Sequence, residues 1–258
     1  MSDWLHNLPI LAMAAVIFGA TYLAAFGIYV LVAVLARGPW GSSLKAVSPG
    51  MLPPLGIIFG LFVAFTAAQV WGDTDRAVVA VNQEASALRA IEVFAASFPG
   101  EPETRLRSLV RAYIQEVVSR EWPMMARGEA TFASVPAALT QALDLDLALA
   151  PASPGQGIAQ REIATAILKA IDAHRQTIIV SKSHVNAVKW WCLIVQALCA
   201  MVAIAFVHVG ERRTRALTLG LFASGVAACI LLIAAHDRPF TGKISVSPEP
   251  LLIIMPRD

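Results

Sequence analysis

Four uncharged, apolar runs, each long enough to cross a bilayer as a helix, constrain this sequence more than any other feature. They cover residues 9–36, 51–71, 190–209 and 216–235. A hydrocarbon core about 30 Å thick is crossed by about 20 residues of α-helix. Backbone polar groups in lipid must pair within their own segment, so each run is expected to be helical. The sequence therefore predicts four transmembrane helices.

The charged residues are concentrated between the second and third runs. The chain is 57% hydrophobic and only 15% charged, which is more apolar than an ordinary soluble domain. We therefore predict an all-α, multi-pass membrane protein with a soluble helical segment between its second and third transmembrane helices. The predicted division is residues 1–72 for the first two transmembrane helices, 73–189 for the soluble segment, 190–236 for the last two, and 237–258 for an irregular C-terminal tail.

The first run differs from a secretory signal peptide. It is longer than the apolar core of such a peptide, no basic residue precedes it, and no A-x-A site follows it before a soluble domain. We expect it to stay in the mature protein as a transmembrane helix.

The soluble segment shows apolar residues at helical spacing. Residues 76–98 are predicted to continue the helix of the second run, up to a turn at Gly100. A second helix is expected to end at Pro123. Residues 128–157 have a weak pattern, compatible with one or two helical turns or with a loop. From Ala159 the pattern runs without a break signal into the third run, so one long helix is expected to enter the membrane.

Several classes of function are not expected. A net charge of +2, scattered along the chain, does not favour a nucleic-acid partner. The three cysteines, Cys192, Cys199 and Cys229, lie in apolar runs without a CxxC motif or a histidine at ligand spacing. They are interpreted as small buried hydrophobic residues, and no metal or cofactor is predicted.

An enzyme is also not expected. No nucleophile, metal set or phosphate loop accompanies Glu84, Glu116 and Glu121, which are interpreted as salt-bridged surface residues. His174 lies in an apolar stripe and is interpreted as a core or interface histidine rather than a ligand or pH sensor.

Two short basic loops predict the orientation in the membrane. One contains Arg37 and Lys45, the other holds three arginines against one glutamate within residues 210–215, and no lysine or arginine precedes the first run. Short loops rich in lysine and arginine stay in the cytoplasm. Both loops are therefore predicted to be cytoplasmic, with both termini and the soluble segment on the other side.

The second run contains a recognisable pattern. Pro54 opens it, Gly60 follows six residues later before bulky apolar residues and Val63, and Trp71 marks the far end. This pattern resembles the pore helix of bestrophins, a family of pentameric anion channels.

Wider features resemble the bacterial bestrophin-like family. These are the Glu84-Ala85 pair after the second run, Glu121-Trp122-Pro123, Arg238-Pro239-Phe240-Thr241-Gly242, and Val246-Ser247-Pro248. The resemblance implies a homo-oligomer, a pentamer, in the bacterial inner (plasma) membrane, with the second helix lining a central pore for anions. No counterpart of the calcium-binding acidic cluster of animal bestrophins follows the fourth run, so calcium activation is not expected.

The resemblance also implies which residues line the pore. The three apolar rings of the bestrophin neck fall at Pro53, Ile57 and Leu61, four residues apart and therefore on one helix face. Gly60 and Ala64 lie beside them.

Gln69 and Asp73 are the candidates for a polar part of the pathway, and Asp73 with Asp75 could form a charged ring or be solvated first residues of an aqueous helix. Gln196 is a second uncharged polar residue of the apolar runs, suited to bonding between helices.

Two alternatives remain open at the level of sequence. The small residues of the second run could let helices pack closely instead of lining a pore. The protein would then be a non-conducting scaffold or sensor that binds a partner through its soluble helices. Bestrophins also keep their termini and middle segment in the cytosol, which is opposite to the orientation that the basic loops predict.

Overall fold

All regular structure that is described in this protein is helical. A computed structural model describes residues 8–39, 43–44, 46–132, 135–242 and 244–256, and no β-strand occurs among them. Lys45, one of the basic loop residues used to predict orientation, lies outside the described residues. The prediction of an all-α protein is confirmed.

The helices are numbered here in chain order. They are α1 (Ile10–Leu35), α2 (Leu52–Ala95), α3 (Glu101–Glu116), α4 (Trp122–Ala126), α5 (Ala137–Ala148), α6 (Pro154–Ser181), α7 (Ala187–Val207), α8 (Arg212–His236) and α9 (Glu249–Ile253). A π-helical turn, Val117–Glu121, joins α3 to α4. Helices α1, α2, α7 and α8 are long and apolar enough to cross a membrane, as the four uncharged runs predict.

The chain divides into two compact units. Met1–Trp71 and His184–Asp237 form the first, called here the membrane unit, and Gly72–Ser183 and Arg238–Asp258 form the second, called here the polar unit. Helix α2 contributes residues to both, because no proline or glycine turn interrupts it between Trp71 and the end of its polar half.

In the membrane unit, α1 packs against α7 and α8, and α7 packs against α8. Two contacts show that α1 and α8 run antiparallel. The hydroxyl oxygens of Tyr22 and Ser224 are 2.7 Å apart. Later in α1 and earlier in α8, the guanidinium carbon of Arg215 lies 4.5 Å from the ring centre of Tyr29. Arg215 is buried. One of the three arginines counted in the second basic loop is therefore a packed helix residue.

The polar unit has a continuous apolar core. Leu88 and Ile91 from α2, Val110 and Tyr113 from α3, and Ile163 and Ile167 from α6 are all fully buried in it. Gly100 has a φ of 99°, a left-handed conformation that favours glycine, and it ends the α2 region where the sequence predicts a turn.

The third transmembrane helix begins after a break that the sequence did not indicate. The prediction of one helix from Ala159 into the membrane is wrong, because α6 ends at Ser181 and α7 starts at Ala187. The side-chain oxygen of Asn186 accepts a hydrogen bond from the backbone N–H of Lys189 at 2.9 Å. Asparagine at this position caps a helix start, so it separates two helices without proline or glycine.

The predicted end of the second soluble helix at Pro123 is also wrong. The chain continues through the π-turn into α4, which ends at Ala126. Proline is tolerated here because it lies in the first turn of α4, where a missing N–H breaks no hydrogen bond within that helix.

The C-terminal residues fold back into the polar unit. The sequence pattern predicts an irregular tail for residues 237–258. In the structure, Phe240, Val246 and Leu251 are buried in the core of this unit, and α9 is a short helix within the same segment. Arg111 of α3 donates to the backbone carbonyl of Pro256 at 2.6 Å. Helical periodicity cannot detect this segment because its buried residues are held by long-range packing.

Two of the three cysteines differ from the sequence interpretation. Cys192 and Cys199 are exposed, and Cys229 is half-buried. They lie on helices with the composition of transmembrane spans, and an apolar residue there is stable when it faces lipid as well as when it is buried in protein.

Candidate functional site

The predicted pore-lining residues form one exposed face of α2. Ile57 is 63% exposed and Leu61 is 53% exposed, and Pro53, Gly60 and Ala64 are exposed with them. Their spacing of three and four residues places them on the same side of the helix. This surface is called here the α2 face.

The opposite side of the same span is packed. Phe59 is buried and its ring centre lies 5.9 Å from that of Phe222 on α8, with the rings tilted by 52°. Gln196 on α7 donates to the backbone carbonyl of Leu55 at 3.4 Å. The α2 span is therefore attached to the membrane unit by one side only.

The glycines beside the α2 face are not used for packing within the chain. A Cβ atom at Gly56 or Gly60 would meet no described atom within 4 Å outside the helix's own backbone. Only 17% of the most apolar window of this span is buried, against 39% for α7. Among the described spans, the second has the smallest buried fraction in its apolar part, so most of that part is left for lipid, water or another subunit.

The two predicted polar pathway residues are each engaged by a cation. The side-chain carbonyl of Gln69 accepts a hydrogen bond from the ammonium group of Lys189. The Asp73 carboxylate is buried and forms an ion pair with Arg76, three residues further along α2. Asp75 remains exposed. The charge of Asp73 is therefore compensated by Arg76, whereas Gln69 is uncharged and its hydrogen bond leaves the positive charge of Lys189 in place.

A second cluster of functional side chains lies in the core of the polar unit. The Nε2 atom of His174 is 2.9 Å from Oε2 of Glu121, and its Nδ1 atom is 3.4 Å from Oε1 of Glu84. Tyr113 donates to Glu84 at 2.5 Å, and Thr177 does so at 3.5 Å. This polar cluster joins α2, α3, α6 and the π-turn.

The environment keeps the imidazole of His174 charged. Burial lowers the pKa of His174, but the adjacent carboxylates of Glu121 and Glu84 outweigh burial and raise it to about 9. Burial, together with the charge of Glu84, raises the pKa of the Tyr113 phenol well above its ordinary value. A protonated histidine between two carboxylates satisfies the rule that buried charges are paired.

The sequence interpretation of this cluster was partly wrong. Glu84 was expected on a salt-bridged surface, but its exposure is 0%. Its position offered a signal, since Glu84 follows Val81 by three residues and precedes Leu88 by four, and both are buried. A carboxylate on the apolar side of an amphipathic helix requires a buried partner. Its partner His174 was interpreted correctly as a core residue.

The π-turn decides where Glu121 lies. Each residue of an α-helix advances the chain by about 100° around the helix axis. A π-turn contains more residues per turn, so it changes the direction in which the following side chains point, compared with an uninterrupted α-helix.

Among the described residues, no group of three or more histidine, cysteine or acidic side chains has the arrangement of a metal site.

Comparison with solved structures shows the fold. A crystal structure of a membrane protein matches with a TM-score of 0.72 at 12% sequence identity, over 93% of this chain and 99% of that chain. A bacterial bestrophin homologue from Klebsiella pneumoniae, solved with a point mutation, matches with a TM-score of 0.66 at 13% identity, over 93% of this chain and 96% of that chain. Both similarities extend over nearly the entire length.

Comparison of the sequence with protein families gives the same relationship. No curated protein matches the chain. The family model for the bestrophin-like domain matches residues 19–251, a range that begins within the first span and includes the other three. The chain therefore belongs to the bestrophin-like family.

Proposed function

We propose that this protein is the subunit of a homo-oligomeric ion channel, a pentamer, in the bacterial inner membrane. The α2 face lines a central pore, and anions pass through it down their gradient. The observation that supports this proposal is the exposed, uncharged surface that Pro53, Ile57, Gly60, Leu61 and Ala64 form on the least packed span. Membership in the bestrophin-like family supports the oligomeric channel.

An apolar pore can control ion flow without a charged filter. Ile57 and Leu61 lie four residues apart on one face, so in a ring of subunits each would form an apolar constriction. Such constrictions act by losing water, which stops ions that must stay hydrated. The glycines next to them leave the constriction free of bulky side chains.

Within the α2 span itself, no acidic side chain favours cations over anions as the permeating species. No acidic residue lies between Leu52 and Gly72. Asp73 is paired with Arg76, so it adds little to a ring of negative potential that would attract cations. We propose that, at the polar end of the span, Gln69 positions Lys189 and Asp73 positions Arg76.

A non-conducting scaffold or sensor is the second candidate. The polar unit carries a groove of about 850 Å³ between α2 and α6, lined by polar side chains that include Asn82, Gln83, Glu162, Lys169 and Asp172. A partner protein could bind there without ion flow. No enzymatic activity is proposed for either candidate.

Ion flux into liposomes distinguishes the two functions. Purified protein is reconstituted into liposomes loaded with a halide-sensitive dye, and chloride influx is followed after a gradient is imposed. Protein-free liposomes are the control. Flux above this control, with cross-linking that stops at five subunits, is expected for the channel. A stable oligomer whose liposomes are no more permeable than the control would reject the channel in favour of the scaffold.

A further inference from the structure

Arg215 in α8 is a buried cation of the membrane unit. It is 2% exposed, and its guanidinium carbon lies 4.5 Å from the ring centre of Tyr29 on α1. A buried charge needs an opposite charge and hydrogen-bond acceptors around it. The face of an aromatic ring attracts a cation, but it offers the guanidinium N–H groups no oxygen acceptor.

The described part of the membrane unit supplies no carboxylate for this cation. No acidic residue occurs in residues 8–71, and Glu211 and Asp237 are the acidic residues of the part from His184 onward. Asp237 lies at the opposite end of the 25-residue helix α8, and it accepts the backbone N–H of Val185. Glu211 is exposed, and it meets Arg215 through its backbone carbonyl, which accepts the backbone N–H of Arg215 at 2.9 Å.

The unpaired donors of Arg215 can be reached from outside. Among the three guanidinium nitrogens, Nε is the one that is closed off without a partner. The terminal nitrogens Nη1 and Nη2 also donate to no described atom, yet they are not closed off. An anion that approaches them therefore meets free donors at the surface.

The start of α8 is itself suited to an anion. This helix begins without a side-chain cap and with no acidic residue in its first turn. Its first hydrogen bond is donated by Arg215, so the three N–H groups before that residue have no partner within the helix. Such groups, at the positive end of the helix dipole, favour an anion. The exposed Arg212 and Arg213 add positive charge at the same end.

The depth of Arg215 restricts which anion binds. It follows a short basic loop and precedes the uncharged run 216–235, so it lies at the boundary between headgroups and hydrocarbon. Lipid phosphates lie at this boundary, and basic clusters beside a span attract anionic lipids. A guanidinium can bind two oxygens of one phosphate. A neighbouring copy would bring only the same two described carboxylates in its membrane unit, so a lipid is the better source of the anion.

We propose that Arg215 and the start of α8 bind the phosphate of an anionic phospholipid. Nη1 and Nη2 of Arg215 donate to the phosphate oxygens, and Tyr29 holds the guanidinium in place. Arg212 and Arg213 select a headgroup without a cation of its own, because like charges repel. This site is separate from the α2 face, and it does not depend on whether the protein conducts ions.

Matched lipids test this site directly. Delipidated protein in detergent is titrated with phosphatidylglycerol or with phosphatidylcholine of the same chains, and bound lipid is counted by native mass spectrometry. Wild type is expected to bind phosphatidylglycerol about tenfold more tightly. Arg215→Met is expected to bind both lipids equally, at the lower affinity. Arg161→Gln removes an exposed arginine of the polar unit and is expected to behave as wild type.

Thermal unfolding separates a lipid site from an arginine with a structural role alone. Without lipid the buried charge is unpaired, so Arg215→Met is expected to unfold at the temperature of wild type or above it. Saturating phosphatidylglycerol is expected to raise the thermal midpoint of wild type and Arg161→Gln, because a ligand stabilises the folded state that binds it. It is not expected to raise that of Arg215→Met. If this variant fails to fold, the double variant Arg212→Gln, Arg213→Gln, exposed at both positions, is expected to reduce the preference for phosphatidylglycerol.

Three outcomes would overturn the proposal. The first is equal binding of the two lipids by wild type, and the second is an undiminished preference for phosphatidylglycerol in Arg215→Met, or in the double variant where that variant does not fold. The third is displacement of phosphatidylglycerol by inorganic phosphate at the same concentration, since the ligand would then be a free phosphate and not a lipid.

Discussion

His174 Nε2 and Glu121 Oε2 are 2.9 Å apart in the core of the polar unit, although 53 residues separate them in the sequence. The second ring nitrogen of His174 is 3.4 Å from Glu84. The protonated ring therefore connects two carboxylates that would otherwise be buried or half-buried without a cation. This relationship makes the stability of the protein dependent on pH.

Replacing His174 with glutamine is expected to destabilise the protein most at pH 6.5 and below. The folded-state pKa of about 9 lies above the ordinary value of 6.5, so the stabilisation is fully present below pH 6.5 and is lost as pH rises through 9. The full effect corresponds to about 3 kcal/mol. It is measured as the difference in thermal midpoint between wild type and variant from pH 6 to 10.

The exposed Arg175, the next residue along the same helix, supplies the control for this experiment. The substitution Arg175→Gln is expected to change the thermal midpoint little, and by the same amount throughout this pH range. A difference between wild type and His174→Gln that stays constant from pH 6 to 10 would contradict a charged imidazole.

Tyr113→Phe is expected to destabilise the protein by about 1.5–3 kcal/mol, the range for a hydrogen bond to a charged group. The phenol donates to the fully buried carboxylate of Glu84 at 2.5 Å, and the substitution leaves that oxygen without its donor. Tyr22→Phe removes an exposed contact with Ser224 and is expected to cost less. Equal losses in thermal stability for the two variants would disagree with the buried-cluster interpretation.

Asp146→Asn is expected to stabilise the protein at pH 7.5 and to have little effect at pH 4. Both carboxylate oxygens of Asp146 are buried without a hydrogen-bond partner among the described atoms, and burial raises its pKa to about 6. The charged form is therefore disfavoured in the folded state, and this penalty grows as pH rises from 3.8 through 6. Asp144→Asn, at an exposed position of the same helix, is the control. A gain that does not depend on pH would reject this explanation.

Ile57→Ser and Leu61→Ser are expected to raise chloride flux severalfold in liposomes while assembly is unchanged. Both side chains are exposed on the α2 face, and a polar ring holds water better than an apolar one. Phe59→Ala removes a buried contact with Phe222, so it is expected to lower thermal stability with little direct effect on flux. Unchanged flux in both serine variants, alongside a conducting wild type, would move the constriction elsewhere.

The basic loops predict that Arg37 and Arg213 face the cytoplasm. In a variant without native cysteines, Ser153→Cys in the polar unit is then expected to react with an impermeant maleimide added outside the cytoplasmic membrane, and Glu211→Cys is not. Both positions are exposed. The reverse labelling pattern would support the orientation that bestrophins have.

The helical spans could be predicted from the sequence because the energetic cost that defines them is local. Every residue of an uncharged run must tolerate lipid, and every backbone group must pair within four residues. The continuation of α2 beyond Trp71 was also readable, since no proline or glycine turn follows and apolar residues recur at helical spacing. Residues at three- and four-residue spacing, such as Ile57 and Leu61, were correctly expected to share one face.

Side-chain partners distant in sequence were decided only by the tertiary structure. The periodicity of α2 marks Glu84 as lying on the apolar side, but it cannot show that His174 and the π-turn supply the compensating charge. Likewise, composition predicts that α2 and α7 can both cross a membrane, whereas packing determines that Phe59 is covered and Ile57 is not. The physical reason is that the cost of placing a residue in lipid or water depends on that residue alone. A buried pair or an exposed helix face, by contrast, is determined by how separate segments of the chain pack together.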